Sequence, residues 1–376
     1  MRKCIVVSDS FKGTLSSLRI CELARGVFER LMPECKLITV PVADGGEGTV
    51  ECFVHSLGAE RVLCAVSGPY GAPVTAELAV MGDTAIIEMA SAAGLPLVGD
   101  NKDPLRTGTL GVGQLIRRAV ELGCRKILLG LGGSATNDGG CGCAHALGAE
   151  FFDKNGRSFI PTGGTLCNIQ SIRLSRVREL LCGVELTVMC DVENPLYGKN
   201  GAAYVFAPQK GADAAAVELL DRNLRHFSEK LIECTGVDIS SLPGGGAAGG
   251  MGAGCVALLG GRLCSGIDAI LDAVRFDDML IGADMVISGE GRLDSQSLQG
   301  KVISGVATRC KAKAVPLVVL AGVIGEDAEE VYGSGVSAVF CTNRAARPAA
   351  ELAEHCKNDY IAALGDILRL INTLCP

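Results

Sequence analysis

Tryptophan is absent from this sequence, and aromatic residues make up only 4% of its 376 residues. That scarcity argues against a ligand cage built from aromatic rings. Lysine and arginine form no run or patch, and the formal net charge is −7. The sequence therefore disfavours nucleic acids and anionic membrane surfaces as partners. The 50 glycines, in contrast, indicate many tight turns between strands and helices.

Long hydrophobic segments are also missing. The longest apolar run, near 315–324, is too short to span a bilayer. Residues 1–9 are typical of a buried first strand rather than of a signal peptide, so we expect a cytoplasmic protein without a membrane partner. The 18 cysteines show no zinc-ribbon spacing, and most are expected to be reduced and buried. The four histidines lack neighbouring nucleophile signals and predict no histidine base.

Short segments rich in Val, Ile and Leu predict parallel strands near both ends of the chain. They cover 3–8, 37–40, 285–288, 316–320 and 338–341. About 200 residues separate the second segment from the third, far more than one crossover helix requires. The sequence therefore predicts an α/β fold, in which a flavodoxin-like parallel sheet domain is interrupted by an inserted second α/β domain with a mixed sheet.

The predicted domain boundaries follow from this gap. Residues 1–60 plus 271–376 are expected to form the flavodoxin-like domain, and 61–270 the inserted domain, with the active site in the cleft between them. Strands of the inserted domain are predicted at 61–66, 76–80, 85–89, 126–129 and 185–190, and its helices at 110–122 and 214–235. Further helices are predicted at 15–31, 301–310 and 349–374.

Polar motifs follow the first two predicted strands. The segment 8–14 reads Ser-Asp-Ser-Phe-Lys-Gly-Thr, and 44–49 reads Asp-Gly-Gly-Glu-Gly-Thr. Ligands of open α/β sheets bind at the carboxyl ends of strands, so Asp9 and Asp44 could converge on one site. Lys12 could neutralise a phosphate or carboxylate, although an ordinary strand-to-helix turn would also explain the first motif.

A longer polar motif, 130–140, contains Ser134, Asn137 and Asp138 among glycines. Its first residues satisfy the pattern G-x-G-x-x-A of dinucleotide sites, but the preceding strand lies too deep in the chain for that interpretation. A polar cradle for a small hydroxy acid or phosphate fits better. Asp191 and Asn194 follow another predicted strand, where Asp191 would be a presented carboxylate.

Two further motifs suggest phosphate chemistry. The glycine run 243–254 could cradle phosphates through backbone N–H groups, or could be an interdomain linker. In the segment 288–294 and just beyond it, Arg292 and Lys301 could bind phosphates, while Glu290 or Asp294 could ligate magnesium. No Walker A motif occurs, so any phosphoryl transfer must use another architecture.

Taken in order, these motifs resemble the bacterial-type glycerate kinase family. The resemblance rests on 9–13, 43–49, 130–140, 190–196, 206–212 and 289–294, and it extends from Asp9 to Lys301. The departures are small, such as Ser8 where proline is expected and Thr14 in place of serine. None removes a charged group. The resemblance implies magnesium-dependent transfer of the ATP γ-phosphoryl group to D-glycerate, with 2-phosphoglycerate as product.

From the motifs and the resemblance we predict a role for each site residue. Asp191 or Asp44 would orient or deprotonate the substrate hydroxyl, with Lys12 offsetting charge in the catalytic group. Contacts to substrate or phosphate are predicted for Ser10, Phe11, Ser134, Asn137, Asp138, Asn194, Arg292 and Lys301. Nucleotide phosphates would face Gly244, Gly245, Gly246, Gly249, Gly250 and Gly252, and magnesium would be held by Asp9, Glu290 or Asp294.

Three other functions stay open at this point. The 130–135 glycines allow a dehydrogenase, and the polar motifs allow a non-catalytic binding protein for small acids. A kinase of a related small hydroxy acid is the third, because discrimination between such substrates depends on pocket geometry. The chain could act as a monomer or a homodimer.

Overall fold

The computed structural model describes residues 1–11, 13–42, 48–294, 297, 301–345, 347 and 349–374. The chain divides into two compact units. The first unit comprises Met1–Asp44, Glu51–Gly58 and Ser265–Pro376, and the second comprises Gly45–Val50 and Ala59–Cys264. The predicted domain boundaries, and an active site in a cleft between domains, stay predictions.

The strands and helices alternate along much of the chain. The strands are β1 (Lys3–Ser8), β2 (Lys36–Pro41), β3 (Glu60–Ser67), β4 (Pro73–Met81), β5 (Thr84–Glu88), β6 (Lys126–Gly130), β7 (Glu150–Phe152), β8 (Ser158–Phe159), β9 (Ser171–Arg173), β10 (Glu185–Met189), β11 (Arg262–Cys264), β12 (Met285–Leu293), β13 (Leu317–Ile324) and β14 (Val336–Cys341). The helices are α1 (Ser17–Leu31), α2 (Thr49–Leu57), α3 (Ala90–Ala93), α4 (Leu110–Glu121), α5 (Cys141–Ala146), α6 (Ser175–Leu180), α7 (Ala202–Phe206), α8 (Ala214–Thr235), α9 (Ala247–Leu259), α10 (Gly266–Ala273), α11 (Phe276–Leu280), α12 (Val302–Ala312) and α13 (Ala349–Leu374).

The first unit contains a five-stranded sheet in the order β2-β1-β12-β13-β14, with every pair parallel. This order confirms the predicted flavodoxin-like sheet. The chain adds strands to one side of β1 first and to the other side later, so the strand order reverses between β1 and β12. Ligands of such sheets bind outside the carboxyl ends of the strands at this reversal point. Helices α1 and α13 pack over one face of the sheet, where Phe28, Tyr360 and Leu364 are buried in one apolar cluster.

The second unit contains a six-stranded mixed sheet in the order β11-β10-β6-β5-β4-β3. The segment β3-β4-β5 is antiparallel, whereas β5, β6, β10 and β11 run parallel. Its mixed character confirms the prediction. The carboxyl ends of β6 and β10 lie side by side, with Gly130 opposite Met189. The polar segments that follow these two strands therefore begin at the same edge of the sheet.

Several elements of the second unit are not predicted from the sequence. A small antiparallel sheet, β8-β7-β9, and strand β11 are too short to give a periodic signal. The glycine run continues into helix α9, in which Ala248, Gly249 and Gly250 have left-handed backbone angles before a regular helical segment. Among the described residues, no helix combines the length and the apolar character that crossing a membrane demands.

Candidate functional site

A cavity of about 410 Å³ opens at the carboxyl ends of β1, β12, β13 and β14 in the first unit. Three of the predicted site segments contribute to its lining. Asp9 and Ser10 follow β1, residues from Glu290 to Asp294 come from the end of β12, and Lys301 precedes α12. The structure therefore brings together the predicted residues Asp9, Ser10, Phe11, Glu290, Arg292, Asp294 and Lys301.

The ends of β1 and β12 are held together by hydrogen bonds around Gly289. The Asp9 backbone N–H and the Ser8 hydroxyl both donate to the Gly289 carbonyl across 3.0 Å. A Cβ atom at Gly289 would lie 2.6 Å from the Leu320 carbonyl oxygen, so only glycine allows this close approach. Asp9 is thereby placed near Glu290, and its Oδ1 accepts a bond from the Ser10 N–H at 2.6 Å.

Phe11 does not have the surroundings of a phosphate-binding residue. Its ring is buried in the core of the first unit and meets the Tyr360 ring edge-on, with centroids 6.1 Å apart. An apolar ring offers phosphate no hydrogen bond, so the Phe11 side chain can contribute only a wall of the cavity. The predicted contact of Phe11 with substrate or phosphate stays a prediction.

Glu290 is a buried acid in the cavity whose pKa departs strongly from its ordinary value. Its side chain is only 6% exposed, and its Oε1 has no hydrogen-bond partner among the residues that the structure describes. The pKa of the Glu290 carboxyl is raised to about 7, mainly by burial and to a smaller extent by the charges of Asp9 and Asp294, against the opposing effects of Ser297 and Lys301. A buried carboxylate with an unsatisfied oxygen is suited to receiving a positive charge.

The three predicted magnesium residues do not form a ready-made cage. Within the described ranges, no group of three or more His, Cys, Asp or Glu side chains is close enough to hold a metal ion. Mg²⁺ in phosphotransferases is usually bound by one or two carboxylates together with water and substrate phosphates. The unsatisfied Glu290 Oε1, beside the carboxylates of Asp9 and Asp294, fits that pattern.

Two cationic side chains lie at the same cavity. Arg292 is 67% exposed and its Nε lies 3.2 Å from the Asp294 Oδ2, so its guanidinium keeps donors available to solvent or a ligand. Lys301 immediately precedes α12, whose first residue, Val302, also lines the cavity. Positive charge and the N-terminal end of a helix are thus combined at one place. Lys12 and Asp44 lie outside the described residues, and their roles stay predictions.

In the second unit, Asp138 organises the loop 130–140. Its Oδ2 accepts bonds from the Thr109 N–H and hydroxyl, both at 2.8 Å, and from the Gly142 N–H at 3.1 Å. Its Oδ1 accepts from the Gly140 N–H at 3.0 Å. With four donors inside the protein and complete burial, this carboxylate holds the loop in place. The predicted contact of Asp138 with substrate stays a prediction.

Lys210 is a buried residue that the predicted site does not include. Its ammonium donates to the Ser134 hydroxyl at 2.7 Å and to the Thr136 carbonyl at 2.8 Å. Burial lowers the pKa of Lys210 to about 7, and the negative charge of Asp138 opposes that shift. Its position in the motif 206–212 is the feature of the sequence that could have identified Lys210 as a site residue. Its burial could not be predicted from the sequence, because lysine is almost never fully buried unless it is paired.

Asn137 and Thr136 carry unsatisfied polar atoms. Both amide atoms of Asn137 and the Thr136 hydroxyl are buried, and none has a hydrogen-bond partner within the described part of the chain. Buried polar groups are nearly always paired, so a ligand atom or an internal water is needed here. The predicted substrate contact of Asn137 is consistent with this gap and stays a prediction.

Asp191 and Asn194 lie beyond β10 in different settings. Asp191 is exposed, as expected of a presented carboxylate. The Asn194 side-chain amide donates to the Asn200 carbonyl at 2.8 Å, and the Asn194 carbonyl accepts from the Gly246 N–H at 2.9 Å. These two bonds stabilise the loop around Asn194, and its predicted contact with substrate stays a prediction.

The glycine run is enclosed by protein rather than open to a ligand. A Cβ at Gly249 would lie 2.1 Å from the Thr136 carbonyl, and one at Gly246 would lie 2.3 Å from the Pro195 carbonyl. The run is buried from Gly244 to Gly254, including Gly244, Gly245, Gly246, Gly249, Gly250 and Gly252. Its small residues allow close packing against the loop 130–140, which explains the glycines by packing alone. The predicted phosphate cradle stays a prediction.

Two residues missed in the sequence, Thr342 and Asn343, line the cavity of the first unit. They are polar and come directly after β14, so the rule that located Asp9 could have located them. Leu352 and Cys356, on α13, also line the cavity. Their positions depend on how α13 packs, and no sequence pattern indicates it.

Comparisons with known proteins agree on one family. The sequence profile of the glycerate kinase family matches residues 4–372. The chain is 43% identical to the glycerate kinase of Bacillus subtilis (strain 168), over 94% of this chain and 93% of that protein. It is 44% identical to the glycerate 2-kinase of Escherichia coli (strain K12), over 90% of each chain. The crystal structure assigned to glycerate kinase 2 of Salmonella typhimurium LT2 is 38% identical and matches with a TM-score of 0.88, covering 99% of this chain and 98% of that one.

Proposed function

Because this chain belongs to the glycerate kinase family, we propose that it transfers the γ-phosphoryl group of ATP to D-glycerate. The proposed product is 2-phosphoglycerate, since a relative that is 44% identical over 90% of this chain is a glycerate 2-kinase. The structural observation that carries the proposal is the grouping of Asp9, Glu290 and Lys301 around one cavity at the reversal point of a parallel sheet.

Phosphoryl transfer depends mainly on positioning and on charge neutralisation. Lys301 is proposed to bind the transferred phosphate, and Arg292 to offset further negative charge from the exposed rim. The side chains of Lys301 and Arg292 are exposed, so each can contact a phosphate oxygen without a buried interaction having to break first.

Asp9, Glu290 and Asp294 are the residues that would hold Mg²⁺. When bound, the ion supplies charge neutralisation at the phosphate oxygens. Burial keeps Glu290 partly protonated near neutral pH, so the chain itself avoids placing three ionised carboxylates together when no cation is present.

Asp191 is proposed to orient or deprotonate the hydroxyl of glycerate. Asp191→Asn is expected to reduce kcat about 10²- to 10⁴-fold while the protein stays folded, as is usual on removal of a general base. Glu193→Gln, two residues along the same exposed loop, is the matched control and should leave kcat near wild type. Unchanged turnover of Asp191→Asn would remove Asp191 from the mechanism and leave Asp44 as the candidate.

The activity can be tested directly with D-glycerate, ATP and Mg²⁺, with the products resolved by ³¹P NMR. Formation of 2-phosphoglycerate supports the proposal, and 3-phosphoglycerate would correct the position of transfer. Folded protein that forms neither product would contradict it. A parallel assay with other small hydroxy acids distinguishes a changed substrate from the absence of kinase activity.

A further inference from the structure

The cavity of the first unit has two ends with different chemistry. One end carries the ionisable groups of Asp9, Glu290 and Lys301. The other end is formed by Val323, Leu352 and Cys356, with Thr342 and Asn343 as uncharged polar groups. Asp359 of α13 also lines the cavity, and its carboxylate is paired with the Arg347 guanidinium. A ligand that fills the whole cavity must therefore be anionic at one end and flat or apolar, with a few hydrogen-bonding groups, at the other.

The size of the cavity also limits the choice of ligand. A volume of about 410 Å³ lies within the range of sites for drug-sized ligands and cofactors. Glycerate is a three-carbon acid, and it would occupy only the charged end. The apolar end would then be left without a ligand to cover it.

We propose that this cavity binds the nucleoside triphosphate co-substrate, with its base between Leu352 and the Thr342–Asn343 turn and its phosphates towards Lys301. The inference rests on the proposed kinase function and replaces the glycine run as the nucleotide site. That run is buried, and Gly249 packs on the Thr136 carbonyl, so packing already explains its glycines.

The arrangement of elements supports this orientation. Thr342 and Asn343 follow β14, at the sheet edge farthest from the reversal point, while Asp9 and Glu290 lie at that point between β1 and β12. The phosphates would thus lie where the carboxylates, Lys301 and the start of α12 are found. Glu290 Oε1, buried and unpaired among the described residues, marks the place where a cation on those phosphates would be received.

Location can be tested without measuring turnover, by photocrosslinking wild-type protein with 8-azidoadenosine triphosphate and Mg²⁺. The apolar end lies on two tryptic peptides, 314–344 and 345–357, whereas the glycine run lies on 231–262. Label on either of the first two peptides that excess ATP prevents, and glycerate does not, is the expected result. Label confined to 231–262, or no ATP-protected label on the two cavity peptides, would overturn the inference.

A pair of variants on α13 tests the same site by affinity. Leu352→Trp fills the apolar end, and Leu370→Trp places the same side chain at a position on α13 that is 52% exposed and does not line the cavity. Leu352→Trp is expected to raise the KM for ATP and the Kd for Mg-ADP by about tenfold or more, a loss of about 1.4 kcal/mol. Leu370→Trp should change neither.

The outcomes separate this inference from the proposed function. A normal Kd for Mg-ADP in folded Leu352→Trp, or a rise in the KM for glycerate alone, overturns the nucleotide assignment even if wild type forms 2-phosphoglycerate. Crosslinking at the cavity, with the expected loss of Mg-ADP affinity but no phosphoglycerate formed, supports the nucleotide site and contradicts the glycerate assignment. Should Leu352→Trp fail to fold by circular dichroism, the crosslinking result decides.

Discussion

Lys210 and Ser134 are 76 residues apart in sequence, yet the buried Lys210 ammonium donates a hydrogen bond to the Ser134 hydroxyl at 2.7 Å. The same ammonium donates to the Thr136 carbonyl at 2.8 Å. One side chain therefore fixes two points of the loop 130–140, on either side of Ala135. Because Asn137 follows directly, Lys210 is a positioning residue for the unsatisfied amide of Asn137.

Lys210→Met should disturb that loop while preserving most of the buried volume. If Asn137 contacts substrate, kcat/KM for glycerate is expected to fall roughly 100-fold, since a misplacement of about 1 Å can have that effect. Lys230→Met is the control, because Lys230, 13% exposed, pairs within α8 with the exposed Glu233 and does not contact the loop 130–140 by any hydrogen bond in the described part of the chain. Equal kinetics in the two variants would contradict a positioning role for Lys210.

The titration of Lys210 predicts a dependence of stability on pH. Its pKa is about 7 in the fold, against 10.5 for the ordinary side chain. Between these values the unfolded chain binds more protons, so the free energy of unfolding of wild type should rise with pH relative to Lys210→Met. Urea titrations of both proteins at pH 7, 8 and 9 measure this difference. Parallel pH profiles would show that Lys210 does not titrate in this range.

Glu290 is expected to show the opposite trend. Its pKa is raised to about 7 in the fold, so between the ordinary value of 4.5 and about 7 the folded state binds more protons. The free energy of unfolding of wild type should therefore fall as pH rises through that window, relative to Glu290→Gln. Denaturant titrations without Mg²⁺ check the sign, and Glu330→Gln, an exposed acid of the same unit, should follow wild type.

The same variant tests the proposed magnesium site. Mg²⁺ binds the ionised carboxylate, so Mg²⁺ should raise the unfolding temperature of wild type more at pH 8 than at pH 6. Glu290→Gln should reduce that increase, whereas Glu330→Gln should keep it. An identical response of all three proteins would place the cation elsewhere.

The parts of the fold that the sequence predicts best are those with a clear period and a clear end. The strand predicted at 3–8 coincides with β1, and the polar residues after it reach the cavity as expected. The strand predicted at 285–288 is too short, because β12 continues through the glycine-rich stretch to Leu293. There Glu290 and Arg292 pair with Ala321 and Val323 of β13. The glycines and charged residues at 289–292 give no strand signal in the sequence, but hydrogen bonding to the backbone of β13 makes them part of β12.

The roles assigned to glycines and acids were harder to predict, since the same residue types serve ligands and packing. A glycine-rich run suggests a phosphate cradle from its sequence, but the backbone atoms close beside this run explain its glycines equally well by packing. Asp138 lies in a polar motif typical of ligand contacts, but its carboxylate already accepts four hydrogen bonds from donors of the protein. In both cases the surroundings depend on tertiary contacts, which cannot be predicted from the periodicity or the composition of the sequence.

Asp138→Asn should be strongly destabilising. An amide would place donor hydrogens against at least one of the N–H groups of Thr109, Gly140 and Gly142, and the loss of charge-assisted bonds is expected to lower the free energy of unfolding by roughly 3 kcal/mol. Asp153→Asn is the control, because Asp153 accepts bonds from the Asn155 and Arg157 N–H groups in an exposed turn. Its effect should stay below about 1 kcal/mol by urea denaturation. Similar values for both would contradict the structural role of Asp138.

Gly254→Ala distinguishes packing from phosphate binding in the glycine run. The added Cβ would lie 2.0 Å from the Gly139 carbonyl oxygen, so α9 must move away from the loop 130–140, lowering the free energy of unfolding by roughly 1–3 kcal/mol. Gly26→Ala, in α1, meets no atom within 4 Å and should stabilise by roughly 1 kcal/mol. Because the nucleotide is proposed to lie in the first unit, the Kd of folded Gly254→Ala for Mg-ADP should equal that of wild type. A large loss of nucleotide affinity without loss of stability would contradict this proposal and favour the glycine run as the binding site of the nucleotide phosphates.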